Sequence, residues 1–324
     1  MKARAKSRPR ARRAAASKRP SVARRPPRTP DGALPFRPLA DAFELYFKDA
    51  FSERCPAPSR LRQAMRYAAL GPGKRLRPLL VLLSCEAVGG DWFKALPAAV
   101  AVECVHAFSL VHDDLPAMDD DDYRRGRLTT HRKFGEALGV LSGDALLAFA
   151  FEELAMLEGA GVEPARVIEA VRRLAHAGGA DDLVGGQALD MAAEGRRVRP
   201  ADVEAIHTRK TGALMGACLA LGAIAGGADP RTAAVLDDAG RLLGFAFQIQ
   251  DDLLNAGSSL KKLGKRAGTD AARGKATYHK AAGTEAALRE QQLLMRSAMG
   301  IIETHTLQPA RLLLLIEAVA VRES

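Results

Sequence analysis

Between His112 and Gly126 the chain reads HDDLPAMDDDDYRRG, with six aspartates inside ten residues and two arginines directly after them. Carboxylates crowded in this way repel one another unless a cation sits among them. A charge run taken alone is more often a solvated loop. Here a second acidic motif, QIQDDLLN at 248–255, occurs in the same setting, since both motifs close a long apolar helical pattern, at 97–115 and 241–254. Carboxylates at a helix C-terminus oppose the macrodipole at a cost of several tenths of a kcal/mol each, and a bound cation removes that cost. Ligands that are all oxygen suit Mg²⁺, which takes few carboxylates and completes its shell with substrate phosphate. Asp251 and Asn255 are four residues apart, on one face of a helix. Asp113 and Asp119 are six apart and would diverge on a regular helix, so a break at Pro116 is expected to bring Asp119 back toward Asp113. The HDD triplet also suits a His-Asp phosphohydrolase, but the remaining histidines are scattered.

Counter-charges accompany the acids. Lys74, Arg75 and Arg77 lie in GKRLRP, Arg124 and Arg125 follow the first motif, Lys210 and Thr211 lie in HTRKTG, and Lys265 and Lys275 lie in two GK pairs. Taken singly, each reads as a surface cation. Taken with two acidic clusters, they describe two polyanion sites, one held through metal and one held directly by cationic side chains.

The elements that must carry these residues read as helices from residue 35 onward. ADAFELYFKDAF (40–51) places Phe43, Leu45, Phe47 and Phe51 mostly on one side, and SRLRQAMRYAAL follows with Ser59 as a plausible cap. GPGKRLRP breaks the pattern, and LLVLLSCEAVGG reads as a buried helix stopped by two glycines. Further long apolar helices span 97–115, 136–157 and 241–254, with no alternating strand of useful length. Such helices imply one all-α domain over 35–324, a bundle around a common core. Of the 324 residues, 48% are apolar, enough for that core. The net charge of +10 belongs to the N-terminus. Residues 1–30 hold twelve Lys and Arg and no acid, and without them 36 basic residues face 38 acidic ones, a net of −2. The segment 1–34, rich in Arg, Ala and Pro, has almost nothing to bury and is expected to be a disordered tail, with no nucleic-acid contact expected of the folded part. No uncharged apolar run reaches ~18 residues, so no transmembrane segment is expected. The four cysteines lack pairing or zinc spacing and read as reduced core residues of a cytoplasmic protein.

GKRLRP, HAFSLVHDDLPAMDDDDYRRG, GDALL, GGQALDMAAEG, HTRKTGAL, FAFQIQDDLLN and LGKRAGTDAARGKATY occur in one order within residues 40–280. In these motifs the chain resembles the trans-isoprenyl diphosphate synthases, most of all the bacterial farnesyl diphosphate synthases. The resemblance implies an isoprenoid synthase-type all-α bundle around a central cavity, usually a homodimer. It also implies head-to-tail condensation of an allylic diphosphate with isopentenyl diphosphate. Carried over by position, Asp113 and Asp119 would hold two Mg²⁺ ions with Asp114 in support, and Asp251 would hold a third. Arg124, Lys210 and Lys265 would touch the allylic diphosphate. Lys74, Arg77, His106 and Arg125 would bind isopentenyl diphosphate. Thr211 and Gln248 would turn oxygen dipoles toward the developing cation, with Gln187, Asp190, Asp252 and Lys275 supporting the substrate and metal network. Phe108 lies five residues before Asp113, ~7.5 Å down the same helix, where a ring would act as the floor of the pocket. The resemblance associates an aromatic there with a C15 product. Two departures stand out: Asn255 replaces the usual third aspartate of the second motif, and His279-Lys280 follow GKATY. Alternatives that stay open are a geranyl or geranylgeranyl diphosphate synthase, a lyase that ionises an allylic diphosphate alone, and an impaired regulatory paralogue.

Overall fold

Two largely buried helices, one of them without a polar side chain, form the middle of the core. The computed structural model describes residues 36–52, 54–257 and 276–320. Helices α1 (Arg37–Ala50), α2 (Ser59–Ala69) and α3 (Leu76–Ala87) lead through a 3₁₀ turn at Trp92–Ala95 into the first central helix, α4 (Leu96–Asp113). A two-residue hairpin, β1 (Tyr123–Arg124) and β2 (Arg127–Leu128), precedes α5 (Thr130–Phe134). Then follow α6 (Glu136–Ala155), α7 (Pro164–Gly178), α8 (Leu183–Ala193) and α9 (Pro200–His207). A π-helical turn, Thr208–Gly212, feeds the second central helix, α10 (Ala213–Ala225), and α11 (Pro230–Gly257) packs along it. Helices Tyr278–Ala282, Thr284–His305 and Ala310–Ala320 complete the described chain. The fold is the expected all-α bundle, and the hairpin is the one β feature among the described residues.

Every residue of α10 is buried, and α4 is buried throughout its first ten positions. A helix that is apolar on all sides must lie in the interior. Glycines let these helices approach closely. A Cβ on Gly244 of α11 would stand 2.5 Å from the Cα of Gly212, and one on Gly240 would stand 2.6 Å from the Cα of Gly216. The stretch Trp92–Asp113 is long and apolar enough to cross a membrane, but 78% of that window is buried inside the bundle. It also carries Glu103, paired with Arg75 at 2.6 Å, so it serves as a core helix. All four cysteines are buried and unpaired.

Two local expectations need correction. Leu45 is 73% exposed, whereas Leu39, Phe43, Phe47 and Phe51 are buried. Positions 39, 43 and 47 repeat every four residues on one face, whereas 45 lies about 200° around from 43. Ser59 is the first residue of α2, not its cap. Pro58 takes the cap position, and no side chain bonds the free amides there.

On α6 a buried carboxyl, Glu153, meets Arg54 at 3.1 Å, and Arg54 stacks over the Tyr46 ring at 4.4 Å. Burial pushes Glu153 up to about 7, against the partial relief that Arg54 gives. A folded pKa raised from 4.5 means that the native state holds the extra proton, so its contribution to stability is lost as pH rises through 7. Thermal melts between pH 5 and 8 should therefore show a fall in wild-type stability of ~1–3 kcal/mol that Glu153→Gln removes, leaving a flatter profile.

Candidate active site

The first acidic motif leaves α4 through a set of backbone turns. The Asp119 amide donates to the Asp113 carbonyl at 2.8 Å, the Asp120 amide to the Leu115 carbonyl at 3.0 Å, and Asp120 takes a positive φ of 46°. The break expected at Pro116 is present, and it returns Asp119 to the end of α4. Asp113 and Asp114, though adjacent, turn to different neighbours. The Asp113 carboxyl lies among Lys210, Asp119 and Arg124, and burial pushes it up to about 6. Asp114 is buried and takes both oxygens to the Arg124 guanidinium, at 2.7 and 2.9 Å from Nε. Arg124 thus braces the motif from beneath.

Arg124 is placed by the hairpin. Arg125 and Gly126 form its two-residue loop, both with positive φ, 50° and 74°, as a type I′ turn requires. This explains the glycine of the RRG triplet and leaves Arg125 in a conformation that non-glycine residues seldom adopt. Thr129 closes the base, its hydroxyl donating to the Asp121 carbonyl at 2.8 Å. Arg125 donates to the Pro72 carbonyl at 2.9 Å, so the hairpin tip rests on the GPG loop. Between loop, hairpin and α4 opens a cleft walled by His106, Asp114, Arg124, Arg125 and Arg127 among others.

His106 lies 3.4 Å from the Arg77 guanidinium through Nε2. Burial, with Arg77 and Arg125 nearby, holds its pKa well below the usual histidine range, so the ring is neutral. Because a guanidinium can only donate, Nε2 accepts and the proton sits on Nδ1, pointing a donor away from Arg77. Lys74 is exposed on the loop and does not wall the cleft. The residue that sequence reasoning named in GKRLRP without assigning is Arg75. It is buried with φ 47° and donates to Glu44 at 2.7 Å, to Glu103 at 2.6 Å and to the Ala69 and Gly71 carbonyls at 3.1 and 2.9 Å. It locks the loop that frames the cleft, and four acceptors around one guanidinium emerge only on folding.

The second wall is built on the π-helical turn. A π turn adds one residue and re-aims the side chains of the helix it interrupts. Lys210 reaches Asp190 of α8 at 2.6 Å, and the Thr211 hydroxyl donates to Gln248 Oε1 at 3.1 Å. Gln248 continues to Asp252 at 3.4 Å, and buried Asp252 also accepts the Tyr278 amide at 3.0 Å and lies 3.8 Å from His207. Gly186 of α8 allows this seat, because a Cβ there would fall 2.4 Å from the Lys210 amide nitrogen. Gln187 keeps a buried Oε1 with no hydrogen-bond partner among the described residues. Arg241 pins α8 to α11 through a two-pronged contact with Asp182, at 3.0 and 2.8 Å. Lys210 therefore touches both halves of the site, near Asp113 on one side and bonded to Asp190 on the other. Asp251 and Asn255 stand exposed on α11, one turn apart. Phe108 is buried on α4, its ring edge-on to His112 at 5.2 Å. Lys265 and Lys275 lie outside the described residues.

The Polyprenyl synthetase family model matches residues 58–310. The chain belongs to that family. It is 39% identical over 273 residues to the farnesyl diphosphate synthase of Geobacillus stearothermophilus, covering 84% of this chain and 92% of that one. It is also 46% identical over 246 residues to geranylgeranyl pyrophosphate synthase 11, chloroplastic, of Arabidopsis thaliana, covering 74% and 68%. Among solved structures, a geranyltransferase of Helicobacter pylori complexed with magnesium and isoprenyl diphosphate superimposes with a TM-score of 0.75 at 28% identity, covering 88% of this chain and 94% of that one. The enzyme is a prenyltransferase of isoprene biosynthesis, a short-chain isoprenyl diphosphate synthase of a magnesium-dependent family.

The residues present fit that metal. Asp113 sits against two other carboxyls, Asp119 and Asp114, both of which raise its pKa, and a dication relieves that crowding. Among the described residues no three acidic or imidazole groups converge to enclose an ion by themselves. That pattern suits Mg²⁺, which keeps waters and completes its shell with substrate phosphate.

Proposed function

We propose that the enzyme joins isopentenyl diphosphate head-to-tail to dimethylallyl and then geranyl diphosphate, giving mainly farnesyl diphosphate. The observation that carries this reading is the divergence of Asp113 and Asp114. One carboxyl turns to Lys210 and the other, through Arg124, forms the wall of a separate cationic cleft. Two diphosphates require two such sites, whereas a lyase acting on one allylic diphosphate has no use for the cleft with His106 and Arg125, nor for Arg77 beside His106. In this reading Asp113, Asp119 and Asp251 would hold three Mg²⁺ ions, which supply positive charge to the departing diphosphate. Lys210 adds charge from the protein side, and Arg124, through Asp114, holds the first motif still while bonds change. Thr211 and Gln248 turn oxygens toward the carbon that becomes electron-poor. Arg77, neutral His106 and Arg125 orient the isopentenyl diphosphate for attack. Asp114 and Asp190 are engaged in ion pairs, so the departed diphosphate itself takes the final proton. Asn255, neutral where the family motif carries an aspartate, would hold Mg²⁺ less strongly while turnover persists. Lys265 and Lys275 add to the allylic side. Adjacent Val140 and Leu141, exposed on α6, support a homodimer.

Product length rests on Phe108. Incubation with dimethylallyl and isopentenyl diphosphates and Mg²⁺, followed by mass analysis, should give C15 diphosphate from the wild type. Phe108→Ala opens the floor of the pocket and should shift the main product to C20 or longer. An unchanged C15 profile in that variant sinks the floor assignment, and hydrocarbon or alcohol formed without isopentenyl diphosphate sinks the synthase reading.

A further inference from the structure

We propose that Arg127 is a further cationic ligand for the diphosphate of isopentenyl diphosphate, carried by the hairpin and held over the cleft by Tyr67. The proposal rests on the cleft's being the isopentenyl site. Arg127 pairs across the hairpin with Arg124, which places two like charges directly opposite each other. Arg124 is neutralised by Asp114. Arg127 meets no carboxylate and makes no hydrogen bond through its guanidinium among the described residues. Its one polar contact is the Tyr67 ring, 4.0 Å from the guanidinium carbon to the centroid. The two carboxylates of the cleft wall, Glu103 and Asp114, are already taken by Arg75 and Arg124. Lys133 also approaches the Tyr67 ring at 4.0 Å, so two cations share one ring and add to the positive charge at the mouth of the cleft.

The placement is built from both sides. Tyr67 on α2 donates its hydroxyl to the Leu128 carbonyl at 2.8 Å and so ties β2 to the helix that supports the stacked guanidinium. The two glycines of the GPG loop admit two arginines. A Cβ at Gly73 would lie 2.7 Å from Arg125 Nη1, and one at Gly71 would lie 3.1 Å from Arg127 Nη1. Arg125 and Arg127 therefore lie against the same short loop, two residues apart on the hairpin, both walling the cleft. A planar fork of N–H donors with no acceptor of its own, stacked on an aromatic ring and facing a cationic cleft, fits a diphosphate oxygen pair.

Steady-state kinetics of the full chain test this, with geranyl diphosphate saturating and isopentenyl diphosphate varied. Arg127→Gln should raise KM for isopentenyl diphosphate about 10-fold, the loss of one charge-assisted contact, with kcat held within about twofold and KM for geranyl diphosphate unmoved. Arg127→Lys, which keeps the charge without the fork, should recover part of that loss. A folding defect would lower the active fraction and kcat without selecting one substrate. Should Arg127→Gln not fold, Arg127→Lys carries the test, with KM for isopentenyl diphosphate still raised severalfold. An unchanged KM for isopentenyl diphosphate, or equal rises for both substrates, overturns the role of Arg127. A wild type that turns over no isopentenyl diphosphate overturns instead the reading of the cleft.

Discussion

Asp113→Asn is expected to lower kcat by ~10²–10³-fold or more, the scale on which one preorganised charge contact at a reacting centre acts, while leaving the thermal melting curve of the metal-free protein unchanged or raised. The two halves of this expectation have one cause. Burial first, then Asp119 and Asp114, push the Asp113 carboxyl up to about 6 against the partial relief from Lys210 and Arg124, so ionising it costs the folded chain free energy that a bound cation would return. For a carboxyl raised from 3.8 to about 6, the folded state binds more protons within that window, and the contribution to stability declines as pH rises through it. Asparagine removes that decline and, with it, the proposed metal ligand. The wild type should also lose Mg²⁺ affinity as pH falls below about 6, because the proton and the metal compete for one carboxylate, and calorimetric titration should show proton release on metal binding. An Asp113→Asn variant with near-wild-type kcat at saturating Mg²⁺ would remove Asp113 from the site.

The second large effect is on folding. Arg75→Met should destabilise the protein by about 3–5 kcal/mol, because it strands Glu103 and Glu44 without the guanidinium that pairs them. Both members of the Arg75–Glu103 pair are almost fully buried, at 7% and 6% side-chain exposure, and the contact is 2.6 Å. Adding Glu103→Gln should restore a good part of the loss, since the uncompensated buried charge is then gone. Denaturant titration of the two variants measures both values. Equal destabilisation of single and double variants would show that Arg75 acts through packing alone. Catalysis suffers as well, because the loop that Arg75 anchors carries Gly71, Pro72 and Gly73 at the edge of the cleft.

The comparison of Arg75 with Asp113 shows how much of the site is legible in the chain. Asp113 and Asp119 could be singled out because charges crowded along the sequence are costly, and that cost is visible without coordinates, whereas Lys210 and Arg125 took their roles from the resemblance. The return of Asp119 could be anticipated because Pro116 must break a helix. The all-α class followed from long apolar helical periods, and the structure and the family bear it out. Other parts could not be read in this way. The RRG triplet read as two substrate-binding cations, but not as a turn: Arg125 and Gly126 are the loop of a hairpin too short to leave a periodic signal. Leu45 looked like core until the exact phase of α1 placed it outside. HTRKTG showed a lysine and a threonine, but not the π turn that aims one at Asp190 and the other at Gln248.

The sequence by itself determined the helical class, because composition and periodicity are local properties of the chain, and its ordered motifs carried the family by resemblance. Only the tertiary structure decided which charge serves which partner. Arg124 bonds Asp114, Arg75 bonds two glutamates distant in sequence, and Arg127 lies over Tyr67 and meets no carboxylate among the described residues. An ion pair is a matter of distance in space, and that distance is set by how closely glycines such as Gly186, Gly212 and Gly244 let the helices approach.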